Sequence, residues 1–307
     1  MNAPLANPRR HIPEGMRFAE WRARDDWPLR SFSWPQAGTA RGSLLFLTGR
    51  GDFIEKYLEV LIHWHRAGWN VAGFDWRGQG GSGRLLADPL ICHQSDFDVL
   101  VADLAGFVDH WTAETPGPHV IVAHSMGAHL TLRLLAERPR GIDAVVLSSA
   151  MIGIRVKGVP SWLVGGLVRC ATAIGLSDRR ISRRDIGDVG GRMTSCPDRR
   201  ADKMWWKATR PELASGVPSW SWVRAAFASI ARLTDAALAA IHTPILLTAA
   251  REDPIVDVGA IEHTARILPN AELTIIDGGG HEILREVDAR RLPLLARIDE
   301  FLDRISK

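Results

Sequence analysis

The chain has 307 residues, 46% of them hydrophobic and 24% charged, with a formal net charge of +3. That length and balance suit one large soluble α/β domain with an insertion, or two domains. The basic excess is small and no basic stripe is interleaved with aromatics, which excludes nucleic acid as a partner.

The three cysteines, Cys92, Cys170 and Cys196, have no metal-ligand spacing and suit free thiols in a reducing compartment. Residues 1–15 carry Arg9 and Arg10 with no apolar run behind them, so no signal peptide is expected. No stretch approaches the ~20 apolar residues of a membrane span. Residues 159–176 come closest, but Arg169 interrupts them. The expected location is cytoplasmic, with peripheral contact at a membrane as the alternative.

Residues 17–21 and 29–34 read as two opening strands, and residues 43–47 as an apolar strand ending in Thr48-Gly49-Arg50-Gly51. Residues 53–67 have helical spacing, with Ile54, Tyr57, Leu58, Leu61 and Ile62 on one face. A strand (70–74), a helix (97–111), a strand (119–123), a helix (125–137) and a strand (144–149) follow. Alternation at these lengths predicts a mostly parallel sheet covered on both faces. Residues 151–225 break it with short apolar pieces, many Gly, Pro and Arg residues, and Trp205, Trp206, Trp220 and Trp222. This segment is expected to be a cap inserted into a core of residues 1–150 and 226–307, with residues 159–176 as a helix over the pocket. The alternation resumes with a strand (244–249), a helix (259–268), a strand (271–276) and a helix (290–305). Of twelve tryptophans, some are expected to line an apolar cavity, while Trp64, Trp69 and Trp111 fit the core equally well.

The chemistry centres on Val120-Ile121-Val122-Ala123-His124-Ser125-Met126-Gly127. A β-branched run ends at a serine flanked by small residues at minus two and plus two, and a helical pattern follows. This is the make-up of a nucleophile elbow, with Ala123 in place of the usual first glycine. The plainer alternative is a strand–helix junction with Ser125 as N-cap. A nucleophilic serine needs a base, and the base an orienting acid, both on loops at the carboxyl ends of later strands. One strand runs into Arg251-Glu252-Asp253-Pro254, another into Asp277-Gly278-Gly279-Gly280-His281. Asp253 is preferred to Glu252 and Asp257 because Pro254 fixes the turn directly after it. His281 is preferred because three glycines free its backbone to carry the imidazole over the sheet edge. His124 is expected to pack beneath the elbow. Two backbone amides should receive an oxyanion: that of Met126, and one from residues 48–51, best Arg50. Gly78-Gln79-Gly80-Gly81-Ser82-Gly83 matches a dinucleotide fingerprint, but a loop-like Leu85-Leu86-Ala87-Asp88-Pro89 follows instead of a helix, so no cofactor is assigned to it.

These segments, with Thr48-Gly49-Arg50-Gly51-Asp52-Phe53-Ile54-Glu55-Lys56-Tyr57, Asp75-Trp76-Arg77-Gly78-Gln79-Gly80-Gly81-Ser82 and Gly279-Gly280-His281-Glu282, resemble the α/β-hydrolase superfamily. The nearest branch is that of lysophospholipase L2 and monoacylglycerol lipase. The resemblance implies an eight-stranded sheet with a helical cap, and ester hydrolysis without cofactor or metal. It further implies Ser125 as nucleophile, Asp253 as acid, His281 as base, and the Arg50 and Met126 amides as oxyanion donors. Thr48 stands where related lipases often have His, which bears on loop geometry and substrate shape.

The expected function is therefore hydrolysis of a single-acyl lipid ester through an acyl-enzyme. Other acyl substrates, such as a short ester, thioester or amide, remain open. So does a non-catalytic hydrolase-like binding protein. Arg179, Arg180, Arg183 and Arg184 in the cap could meet a phosphate head group or form solvated surface. Transient contact of the cap with a membrane surface is a further expectation.

Overall fold

The structure is a computed structural model, describing residues 7–138, 141–155, 161–182 and 193–306. Its sheet follows from period-2 apolar patterning. In β3 (Gly42–Leu47), Leu44 and Phe46 enter one apolar core and Leu45 and Leu47 a second. The same split recurs in β6 (His119–His124), β7 (Ala144–Ser148) and β9 (Ile245–Ala250), so these strands are buried on both sides.

With β1 (Arg17–Arg22), β2 (Pro28–Trp34), β4 (Trp69–Phe74) and β10 (Ala271–Ile276), they form an eight-stranded sheet in the order β1-β2-β4-β3-β6-β7-β9-β10. The β1–β2 and β2–β4 pairs are antiparallel and the rest parallel. Helices α1 (Leu58–Arg66) and α9 (Asp288–Asp303) bury Leu61, Trp64, Leu295 and Ile298 in one core. Helices α2 (Phe97–Glu114), α3 (Met126–Glu137) and α8 (Val258–Ile267) bury Leu100, Leu104, Leu132 and Ile261 in the other. The carboxyl ends of β3, β6, β9 and β10 therefore open at one rim.

The helix expected from residue 53 begins instead as a 3-10 turn, Ile54–Tyr57, before α1. The cause is Asp75, whose carboxylate takes the Ile54 amide at 3.0 Å and pins the turn. Residues 151–225 hold α4 (Ser161–Ala173) and α5 (Pro197–Thr209), neither start nor end of α4 matching the expected 159–176. Residues 156–160 of that span lie outside the described residues. Helix α6 (Trp220–Ile230) runs through residue 225 and buries Trp222 and Ala226 in the second core. Helix α7 (Asp235–Ala239) then leads back to β9. A two-residue pair, β5 (Ile91–Cys92) with β8 (Val217–Pro218), ties the segment to the loop after β4.

Trp64, Trp69 and Trp111 are core residues. Of the four later tryptophans, Trp205 packs edge-on against Trp206 at 4.9 Å, and Trp222 meets Phe97 at 5.4 Å. Trp64 is wholly buried, 6.0 Å from the Phe46 ring. Trp64→Ala is expected to lower unfolding free energy by about 3–5 kcal/mol in chemical denaturation.

Candidate active site

Ser125 sits between β6 and α3 with φ 52° and ψ −112°, a region that costs a non-glycine residue about 1–3 kcal/mol. Three hydrogen bonds hold it there: its amide donates to the Ser148 carbonyl at 2.9 Å, and its carbonyl accepts from the His129 and Met151 amides, each at 3.1 Å. The sharp turn brings α3 against the first strands of the core. A Cβ on Gly127 would lie 2.6 Å from the Thr48 carbonyl oxygen, so only glycine fits there. Ser125 occupies the N-cap position, yet its side chain makes no capping hydrogen bond. Its Oγ lies instead 2.9 Å from His281 Nε2.

His281 follows β10 and is buried beside Asp253, which follows β9. Nδ1 of His281 lies 2.8 Å from Asp253 Oδ2. A carboxylate only accepts, so Nδ1 carries the proton and Nε2 is left to accept the Ser125 hydroxyl. Asp253 Oδ1 accepts the Ile255 and Val256 amides at 2.8 and 3.0 Å. Burial pushes its carboxyl up, but His281 and these two amides outweigh burial and hold it below the usual carboxylate range. Of the other two acids weighed, Glu252 accepts the Gly278 amide at 2.9 Å and Asp257 caps α8 through the Gly259 amide at 3.0 Å. Ser125, Asp253 and His281 thus form one hydrogen-bonded chain.

Residues 48–52 face this chain. The Gly49 amide donates to Asp52 at 3.3 Å, and the Gly51 amide donates to the Gln79 side chain. The amides on both sides of Arg50 are therefore committed to side chains. A Cβ on Gly49 would come within 3.2 Å of the Ser125 Cβ. Met126 is the first residue of α3, where an amide has no intrahelical acceptor. The Arg50 guanidinium turns away from the triad, donating to the Gly216 carbonyl at 2.8 Å and lying 5.7 Å from the Trp222 ring.

Several supporting residues have a role that the motifs do not announce. Glu286, wholly buried, accepts the Gly280 amide at 2.9 Å and the Ser195 amide at 2.8 Å, fixing the loop before His281. Beneath residues 48–52, the Lys56 ammonium bridges Asp52 and Glu282. The glycine-rich loop after β4 wraps a buried Arg30–Asp75–Glu55 cluster, in which Asp75 is pushed up to about 6 by burial, with Glu55 adding to it and Arg30 opposing it. A Cβ on Gly80 would meet the Asp75 carboxylate at 2.3 Å, which accounts for that glycine without a nucleotide. The histidine beside Ser125, His124, packs beneath the elbow as expected, 4.9 Å from the His281 ring. His129 contacts Ser229 Oγ at 2.6 Å.

A cavity of about 1150 Å³ opens between residues 86–91 and 175–182, lined by Leu86, Asp88, Ile91, Arg179, Arg180 and Ile181. None of the three triad positions lines it. Arg180 is paired with Asp88 at 2.8 Å. Arg183 and Arg184 lie outside the described residues. Among the described residues, no group of His, Cys, Asp and Glu is arranged to hold a metal ion, and no helix is long and apolar enough to cross a membrane.

Residues 38–288 match the family described as serine aminopeptidase, S33. The chain is 30% identical to lysophospholipase L2 of Escherichia coli (strain K12), over 93% of this chain and 87% of that protein. Among solved structures, a soluble variant of monoglyceride lipase from Saccharomyces cerevisiae in complex with a substrate analog superposes with a TM-score of 0.76 at 18% identity, over 98% of this chain and 99% of that one. The Paleococcus ferrophilus monoacylglycerol lipase superposes with a TM-score of 0.68 at 19% identity, over 89% and 98%. At those identities the likeness of the structures establishes the fold.

Burial, with His281 adding to it for His124 and Arg133 for His129, pushes both imidazoles down to about 3. Both are thus neutral when folded but take up protons near pH 6.5 when unfolded. Their contribution to stability is complete above about pH 6.5 and is lost as pH falls toward 3. Each is expected to add about 1.4 kcal/mol per pH unit to the slope of stability in this window. Denaturant unfolding between pH 6.5 and about 5 checks this: His124→Gln should remove one such increment from the slope.

Proposed function

We propose, from the premise that the chain belongs to the α/β-hydrolase family described as serine aminopeptidase, S33, and to its lysophospholipase L2 and monoacylglycerol lipase-like branch, that it hydrolyses single-acyl lipid esters by a serine mechanism. It is a carboxylic-ester hydrolase, as its relatives indicate. The observation that carries the mechanistic reading is the Ser125–His281–Asp253 chain, at 2.9 and 2.8 Å.

In this reading Ser125 Oγ attacks the ester carbonyl while His281 Nε2 takes the hydroxyl proton. Ionised Asp253 stays ionised, keeps the proton on Nδ1 and stabilises the imidazolium. The tetrahedral oxyanion is received by the Arg50 and Met126 amides, each donor contributing about 10²–10³ in kcat. His281 then protonates the departing alcohol, leaving an acyl-enzyme on Ser125. Water enters, gives its proton to His281 and releases the fatty acid, and Ser125 recovers its hydroxyl proton. No step calls on a metal or cofactor.

Residues 151–225 are taken as the cap, with α6 shared between cap and core. The cavity beside Arg179 and Ile181 is a place where a lipid head group could rest. Leu167 is 56% and Ile174 75% exposed, and Leu176 beyond α4 is also exposed. These support a cap that touches a lipid surface transiently, where apolar side chains gain by leaving water.

Two measurements test this reading. A chain-length series of acyl esters, with lysophosphatidylcholine and monoacylglycerol alongside, should show turnover that Ser125→Ala lowers by several orders of magnitude. Asp253→Asn should lower kcat about 10⁴-fold with the fold intact. Fluorophosphonate labelling that persists in Ser125→Ala would place the nucleophile elsewhere, and an unlabelled, folded wild type would favour a binding protein. For the cap, Leu167→Asp with Ile174→Asp should weaken sedimentation with phospholipid vesicles roughly tenfold or more. Unchanged vesicle binding would remove the surface-contact reading.

A further inference from the structure

Lys56 has no exposed side-chain surface, yet its ammonium sits between two carboxylates that are themselves buried. It donates to Asp52 Oδ1 and, at 2.6 Å, to Glu282 Oε1. Asp52 belongs to the segment carrying Arg50, and its other oxygen accepts the Gly49 amide at 3.3 Å and the Tyr57 hydroxyl at 2.8 Å. Glu282 directly follows His281, and its second oxygen is taken by Arg285. Its amide donates to the Met193 carbonyl at 2.6 Å. One ammonium thus joins two loops, reaching a carboxylate 226 residues away in sequence. One loop carries an oxyanion donor and the other the general base.

We propose that Lys56 is a positioning residue that fixes the distance between residues 49–50 and His281, and so sets kcat. This rests on the triad reading above. A tetrahedral intermediate must meet the amide on one loop while its proton sits on the imidazole of the other. An error of about 1 Å between such groups can cost on the order of 10² in rate. An apolar contact would tolerate sliding. A two-sided ionic contact does not, because displacement in either direction leaves a buried carboxylate without its partner. Lys56 and Arg285 face Asp52 and Glu282, and Lys203 is close enough to act on Asp52, Lys56 and Glu282. The tie therefore holds two loops together with each buried carboxylate facing a cation.

Active-site titration with a fluorophosphonate counts competent sites and separates lost fold from lost positioning. Failure of the triad reading would appear first, as wild-type enzyme without titratable Ser125. With wild type titrating normally, Lys56→Met is expected to keep KM within about twofold while kcat per titrated site falls about tenfold to a hundredfold. Lys56→Arg, which can still span both carboxylates, should recover most of the loss. The double variant Lys56→Met/Glu282→Gln removes one charge of each sign and leaves Lys203 acting on Asp52. It should regain thermal stability but keep the low kcat per site. Two results would overturn the proposal: kcat per site near wild type in Lys56→Met, or full recovery of kcat in the double variant. If Lys56→Met alone does not fold, the double variant decides between the same outcomes.

Discussion

The site depends on one strained residue. Ser125 holds φ 52° because the sheet around it leaves no other path. Its amide is tied to Ser148 at the end of β7, and its carbonyl receives the amides of His129 and Met151. A conformation that costs about 1–3 kcal/mol is stable only where the surroundings specify it several times over. Here the parallel register of β3, β6 and β7 does so, setting Leu47 beside Ala123 and Ala123 beside Leu147. With Ala123 wholly buried between two leucines, a small side chain suffices where a glycine is usual.

From that fixed point, the rim is assembled by side chains that hold loops. Gln79 and Asp75, both after β4, take the amides of Gly51 and Ile54. Trp76 donates to the Thr48 carbonyl at 2.8 Å. Glu286 takes the Gly280 amide. Each is a buried acceptor or donor satisfied by backbone, the arrangement that costs least inside a protein. The glycine-rich loop after β4 thus has a mechanical role. Its tight turn wraps Asp75, and Asp75 in turn holds the start of the 3-10 turn that carries Lys56 and Tyr57 beneath residues 48–52.

What could be read in the sequence follows from how local each signal is. The elbow is spelled within eight residues, and the strands after residue 240 end in an acid and then a histidine, the chain order of α/β-hydrolases. Those patterns need no knowledge of the fold. The Lys56–Glu282 and Arg30–Glu55 contacts are different. A lysine in an apolar helical stretch looks like a solvated position, and only the folded sheet brings the partner from far along the chain. The segment 151–225 is hard to read for another reason. Trp222 is buried against Phe97, a residue of another element, and shows no period of its own. Helix α6 therefore has no visible boundary at residue 225. The two-residue pair of β5 with β8 is too short to leave a pattern.

The position of Thr48 shows how a departure from the family pattern should be weighed. Thr48 is wholly buried and its Oγ1 has no hydrogen-bond partner among the described residues. Its side chain belongs to the interior, so its exchange for histidine acts through loop packing. Two residues on, the Arg50 side chain makes contacts with other elements. It reaches the Gly216 carbonyl next to β8 and lies over Trp222 of α6. That one residue ties residues 48–52 to the stretch around β8. Movement of residues 214–218 would pull on the same short segment. Arg50 and Lys56 thus hold it from two sides, Arg50 to Gly216 and Lys56 to the loop of His281.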